Sequence, residues 1–255
     1  MSAACSITWS GHATVLVELD GLRILTDPVL RRRLGPLTRI VPSVPAETGE
    51  GIDVVLLSHL HADHADLPSL RRVAASTPVV APRGAGSWLA AKGLGDVREI
   101  GIGEEITLGG LRVSATPAEH DGRRRPVGGG ASADAIGFVV RGSRALYFAG
   151  DTDLFPEMAE LEGTIDLALL PIWGWGPALG PGHLDPRRAA EAAAMIRPGV
   201  AVPIHWGTIA IGRPARRPRD PMRPAREFAA LAAQLAPGVD VRVLAPGERM
   251  DLPER

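Results

Sequence analysis

The chain has 255 residues, enough for one large domain or two small ones with a substantial core. Its 45 % hydrophobic and 22 % charged residues are ordinary for a globular protein, and a formal net charge of −1 supplies no field for nucleic acid or an acidic membrane. One cysteine, Cys5, excludes an intrachain disulfide and fits a reducing, cytoplasmic setting; no apolar run reaches bilayer length, and the opening MSAACSITWSGHA lacks the basic and apolar regions of a secretion signal.

The chain begins with strands: Ile7–Trp9, Val15–Leu19 and Leu22–Thr26, the last two joined by an Asp20-Gly21 turn. Pro28, Pro36, Pro42 and Pro45 mark 28–50 as an irregular loop. Strands and helices then alternate. Ile52–Ser58 is a buried-type apolar run, and a helix over Leu67–Ala75 follows. Pro78–Ala81 is a strand and Ala85–Lys92 a helix. Ile106–Leu108 and Leu111–Ala115 flank Gly109-Gly110 as a hairpin, and Ile136–Val140 pairs with Leu146–Ala149. Helix Phe155–Leu161, strand Leu167–Leu170, helix Pro186–Ile196 capped by Asp185, strand Val200–Ile204, helix Pro224–Leu235 and strand Val241–Leu244 complete the series. Hairpins followed by mixed strands and helices predict an α/β protein, two packed sheets with helices outside, in one domain over 1–255. A doubly wound parallel sheet is the alternative, and the hairpins weigh against it.

Metal-capable side chains recur just past strand ends. Asp27 follows Leu22–Thr26; His59, His61, Asp63 and His64 follow Ile52–Ser58; His120 comes after Leu111–Ala115 and Asp151 after Leu146–Ala149. His183 lies beyond the loop after Leu167–Leu170, and His205 follows Val200–Ile204. Ligand sites of layered α/β folds gather at such ends. In extended backbone His59 and His61 point the same way, and the turn toward the next helix carries Asp63 and His64. Imidazole with carboxylate suits zinc, and more carboxylate favours manganese or iron.

The string S-H-L-H-A-D-H at 58–64 resembles the H-x-H-x-D-H signature of the metallo-β-lactamase superfamily, and His120, Asp151 and His205 match its later ligand positions in order. T-D-P at 26–28, W-S-G-H-A at 9–13, G-H-L-D-P at 182–186 and P-I-H-W-G-T at 203–208 are similar to the branch holding N-acyl phosphatidylethanolamine-hydrolysing phospholipase D and, more distantly, ascorbate-6-phosphate lactonases. The resemblance implies a four-layer αββα sandwich and two divalent ions, zinc first, with manganese or iron as alternatives. It assigns His59, His61 and His120 to one ion, Asp63, His64 and His205 to the other, and Asp151 to both. True β-lactamases often carry cysteine where Asp151 stands, so a β-lactam substrate is not expected.

The expected activity is metal-dependent hydrolysis, with a shared water deprotonated between two metals, on a phosphodiester-type substrate that is a small molecule or phospholipid-like. Asp63 orients the nucleophile while ligating. His183 contacts phosphate or protonates the leaving group, or is structural. Asp27 and His12 stand behind the ligands and hold them. Two loops are candidates for shaping the substrate site: 121–134 with Arg123, Arg124 and Arg125, and 172–182 with Trp173 and Trp175. The basic, Pro-rich segment 213–226 reads as a flap or a solvated connection. The rivals are a lactonase or ester hydrolase with the same ligands, a metal-binding module without turnover, and a nuclease of the same fold, which near-neutral charge disfavours. An oligomer is compatible with the sequence.

Overall fold

The computed structural model describes residues 5–75, 77–124, 130–176, 179–212 and 220–252. Its elements begin with strands β1 (Ser6–Gly11), β2 (Thr14–Leu19), β3 (Leu22–Thr26), β4 (Arg33–Leu34), β5 (Leu37–Arg39) and β6 (Val54–Leu56). Helix α1 (Leu67–Val73), β7 (Val79–Pro82), α2 (Gly86–Ala91), β8 (Val97–Ile100), β9 (Glu105–Leu108), β10 (Leu111–Pro117), β11 (Ile136–Arg141) and β12 (Ala145–Phe148) follow. The chain continues through β13 (Leu167–Pro171), α3 (Pro186–Ile196), β14 (Val200–Ile204), β15 (Ile209–Ile211), α4 (Arg223–Leu235), β16 (Asp240–Val241) and β17 (Arg249–Asp251).

Two seven-stranded sheets are ordered β17-β1-β2-β3-β6-β7-β8 and β16-β14-β13-β12-β11-β10-β9. Strands β1 to β3 pair antiparallel in succession, as do β9 to β12, and β17 joins β1 antiparallel; β3 with β6, β6 with β7, β7 with β8, β12 with β13, β13 with β14 and β14 with β16 pair parallel. The hairpin turns have the required chemistry. Asp20 and Gly21 (φ 52° and 83°), like Gly109 and Gly110 (55° and 91°), sit in the left-handed region that a two-residue turn between twisted strands needs.

Alternation along the strands separates the layers. In β6, Val54 and Leu56 join the large core shared with the second sheet, which includes Ile136, Phe138 and Phe148. Val55 and Leu57 join the other cluster, with Leu70 and Val73 of α1 and Leu89 of α2. On the far side Ala189, Ala190 and Ala193 of α3 and Phe228 of α4 are buried in the large core. This is the αββα sandwich. No helix among the described residues is long and apolar enough to cross a membrane.

The structure corrects several sequence expectations. The segment 28–50 is not wholly irregular: β4 and β5 form a third small sheet with β15. Residues Pro156–Leu161 form a 3-10 helix rather than an α-helix. The expected strand 241–244 is reduced to Asp240–Val241. The short edge strands β8 and β17, with exposed Arg98, Glu99, Arg249 and Asp251, lack the apolar alternation that marks a strand in sequence.

Candidate metal centre

The second strand-end carboxylate is placed by a close backbone approach. Gly150 precedes Asp151 at φ 64°, and a Cβ there would stand 2.8 Å from the Ser58 Cβ. Only glycine lets the end of β12 touch the start of the 58–64 turn. That turn is closed by the His64 and Ala65 amides donating to the His61 carbonyl at 3.1 and 2.8 Å. Asp66 then caps α1, accepting from the Ser69 amide at 3.2 Å. Three non-glycine residues at the site, His12, Asp27 and His205, have positive φ (55°, 33° and 63°). Such strain persists where surroundings over-determine it. Here the His205 amide donates to the His12 carbonyl at 2.9 Å, and the His12 amide to Thr208 Oγ1 at 2.8 Å.

Two sets of inward donors result. In one, His61 Nδ1 lies 3.0 Å from His59 Nε2 and 3.1 Å from His120 Nε2. In the other, His64 Nε2 lies 3.1 Å from His205 Nε2 and 3.9 Å from Asp63 Oδ2. Asp151 stands between them: Oδ2 is 3.2 Å from His64 Nε2, Oδ1 is 3.3 Å from His205 Nε2, and the residue clusters with His120 and His183 as well.

The outward ring nitrogens fix the tautomers. His59 Nδ1 donates to Ser58 Oγ at 2.9 Å, His64 Nδ1 to Asp27 Oδ2 at 2.7 Å, His120 Nδ1 to the Gly182 carbonyl at 2.6 Å and His205 Nδ1 to the Trp173 carbonyl at 2.6 Å. Each proton sits on the outer nitrogen, so each Nε2 presents a lone pair inward. Lone pairs facing one another cannot satisfy each other by hydrogen bonding. His61 Nε2 and Asp151 Oδ1 are buried and make no hydrogen bond. Nitrogens on a tetrahedral metal at ~2.1 Å stand about 3.4 Å apart, close to the spacings found. The donor set fits divalent cations.

Electrostatics agree. Burial pushes His59 and His205 well below the usual imidazole range and His61 down to about 4, so these rings are neutral, as ligands must be. Burial alone would raise Asp151, but the facing imidazoles of His205 and His64 and a hydrogen bond from His183 hold it well below the usual carboxylate range. Burial opposes a charge on His64, yet Asp151 and Asp27 raise its proton affinity. The same negative field favours a cation at Nε2.

The remaining expected residues fall around this centre. His12 Nε2 is 3.0 Å from Asp63 Oδ2, which also accepts from Trp175 Nε1 at 3.0 Å. Trp175 is 39 % exposed and forms part of the rim. Trp173 serves His205 through its carbonyl, while its ring packs on the core. His183 Nε2 is 3.4 Å from Asp151 Oδ2, and its side chain keeps 24 % exposure. Arg123 turns to Asp121 in its own loop, with Nε at 2.9 and 3.0 Å from the two carboxylate oxygens. Arg124 instead tethers that loop to the ligand turn, donating to the Leu60 and Ala65 carbonyls at 3.0 and 2.8 Å beneath the Trp88 ring. Arg125, Gly128 and residues 213–219 of the 213–226 segment lie outside the described residues. Sequence reading missed Ser58, Gly182, Thr208 and Arg188. Ser58 and Gly182 lay inside quoted motifs, but serine and glycine carry no metal-ligand signal of their own.

A Beta-lactamase superfamily domain model matches residues 22–206. A UPF0173 metal-dependent hydrolase of Caldivirga maquilingensis is 35 % identical over 97 % of this chain and 98 % of its own. An N-acyl-phosphatidylethanolamine-hydrolyzing phospholipase D of Caenorhabditis elegans is 31 % identical over 80 % of this chain and 64 % of its own. The solved structure of Igni18, a metallo hydrolase from Ignicoccus hospitalis, superposes with a TM-score of 0.74 at 27 % identity, covering 99 % of this chain and 100 % of that one. With the strand ends that carry these histidines and aspartates inside the matched region, the chain belongs to the beta-lactamase superfamily, among its metal-dependent hydrolases.

Proposed function

We propose that the protein hydrolyses phosphodiester-type substrates with two divalent ions, zinc first, in a single hydrolase domain. The observation that carries this reading is Asp151, an aspartate rather than a cysteine, set between two converging donor sets. His59, His61 and His120 would hold one ion; Asp63, His64 and His205 the other; Asp151 both. Two such ions supply Lewis acidity toward a substrate oxygen and lower the pKa of a water near neutral pH.

The chain's own groups do the rest. His12 and Trp175 both donate to Asp63 Oδ2, fixing the carboxylate that faces the nucleophile. His183, on the open side of Asp151, presents Nε2–H as a hydrogen-bond donor to the leaving-group oxygen. Trp175, half exposed at the rim, offers an apolar face to a lipid-like or aromatic ester group. The similarity to a phospholipid-cleaving enzyme supports a phosphodiester over a lactone. The buried single cysteine is in keeping with the cytoplasm.

The test is turnover by zinc- or manganese-loaded protein of bis(4-nitrophenyl) phosphate, simple lactones and nitrocefin, alongside elemental analysis. Phosphodiester turnover with two metals per chain is expected. Lactone turnover alone overturns the substrate class. Fewer than one metal per chain after loading overturns the dinuclear site.

A further inference from the structure

Arg188, in the first turn of α3, has a guanidinium that joins two segments of the centre. Its Nη1 lies 2.7 and 2.8 Å from the two carboxylate oxygens of Asp153, and its Nη2 donates to the His183 carbonyl at 3.1 Å. Asp185 fixes the base of the same side chain, accepting from the Arg188 amide at 2.8 Å, with Oδ2 3.5 Å from Nε.

Both anchored segments carry site residues. Asp153 lies two positions after Asp151, and its amide donates to the Glu119 carbonyl at 3.1 Å, beside His120. On the other side, the residue before His183 is Gly182. Its carbonyl accepts from His120 Nδ1 at 2.6 Å, and a Cβ there would stand 3.0 Å from that nitrogen. The stretch 180–183 runs Gly-Pro-Gly-His, so its backbone has little intrinsic stiffness at the glycines. The planar fork of one arginine ties this loop to the end of the Asp151 strand.

We propose that Arg188 is a positioning residue, holding the His183 loop through the His183 carbonyl and Asp153 so that His183 Nε2 stays beside Asp151. The proposal rests on the reading of His183 as donor to the leaving-group oxygen. A half-exposed ion pair contributes little to global stability, so Arg188→Met leaves a folded protein. The consequence is instead local: a looser loop and a misplaced imidazole.

Two measurements test it. The first is hydrogen–deuterium exchange of the whole protein, needing neither metal nor substrate. Arg188→Met and Asp153→Asn are expected to speed exchange at 180–184 and leave β13 and β14 unchanged. The second is kinetics of the loaded enzyme on diphenyl phosphate, a poor leaving group, and bis(4-nitrophenyl) phosphate, a good one. His183→Ala and Arg188→Met should both lower kcat for diphenyl phosphate by about 10–100-fold, as loss of a supporting hydrogen bond typically does, with KM little changed. The loss should be smaller for the nitrophenyl ester, whose leaving oxygen needs less help, and Arg188→Lys should restore part of it. Unchanged exchange in Arg188→Met, or faster exchange with wild-type kcat on both esters, overturns the proposal. If His183→Ala itself keeps wild-type turnover, the role of His183 fails, and the proposal fails with it. If wild type cleaves neither ester, the substrate reading fails, and the exchange result alone decides for or against Arg188 as the clamp.

Discussion

Asp27 Oδ2 lies 2.7 Å from His64 Nδ1 and 2.5 Å from Ser58 Oγ, whose other bond, at 2.9 Å, is to His59 Nδ1. One carboxylate oxygen therefore orients a histidine in each donor set, one directly and one through a hydroxyl. Asp27→Asn should weaken metal binding in both sets, by about 10–100-fold, the usual range for such supporting groups. Ser58→Ala should weaken only the set containing His59. Competitive titration with a zinc chelator of graded affinity separates one weakened site from two.

Trp175 is bonded to Asp63, so its indole should report on the centre. Loading the protein with zinc should change tryptophan emission, and Trp175→Phe should remove most of that change while Trp88→Phe does not. A metal-dependent signal that survives Trp175→Phe intact would refute the contact.

Arg39 is buried, donates to the Ser10 and Val29 carbonyls at 2.8 and 3.1 Å, and has no carboxylate partner among the described residues. Burial lowers its pKa to about 10. It braces the backbone just ahead of Gly11 and His12. Arg39→Met leaves two buried acceptors unsatisfied and should cost about 2–4 kcal/mol in urea unfolding. The cost arises without loss of an ion pair, so it should be insensitive to salt.

Burial raises the Cys5 thiol from an ordinary 9.0 to about 11. A folded pKa above the unfolded one means the neutral thiol's contribution is intact below pH ~9 and lost as pH rises through about 11. Cys5→Ala should therefore lose less thermal stability than wild type between these limits. Native protein should also resist alkylation at pH 8 and react only after denaturation.

The centre was more legible in sequence than the frame around it. His59, His61, Asp63 and His64 follow a strand whose uninterrupted apolar run marks burial on both faces, and that run locates the ligand edge. His12 and Asp27, expected behind the ligands, contact Asp63 and His64 at 3.0 and 2.7 Å. What escaped reading depends on partners far away in the chain. β5 is a strand because Arg39 and Leu37 pair with Ile209 and Ile211, and nothing in a Pro-rich stretch announces that. Arg123 and Arg124 are neighbours of one type, yet one faces Asp121 and the other the Leu60 carbonyl. Arg188 looked like one more arginine on a helix, because its meaning lies in Asp153, across the strand end.

The pairing of β1 with β17 has a consequence for biosynthesis. Ile7 is registered with Met250, and the Leu252 amide donates to the Cys5 carbonyl at 2.8 Å. β1 thus leaves the ribosome about 240 residues ahead of its antiparallel partner. At translation speeds of ~5–20 residues per second the delay is on the order of 10–50 s. Throughout it β1 offers a free edge beside apolar Ile7 and Trp9, a surface on which nascent copies can pair with one another. Nascent chains stalled before residue 249 should be aggregation-prone even when every residue of the metal centre has already been made.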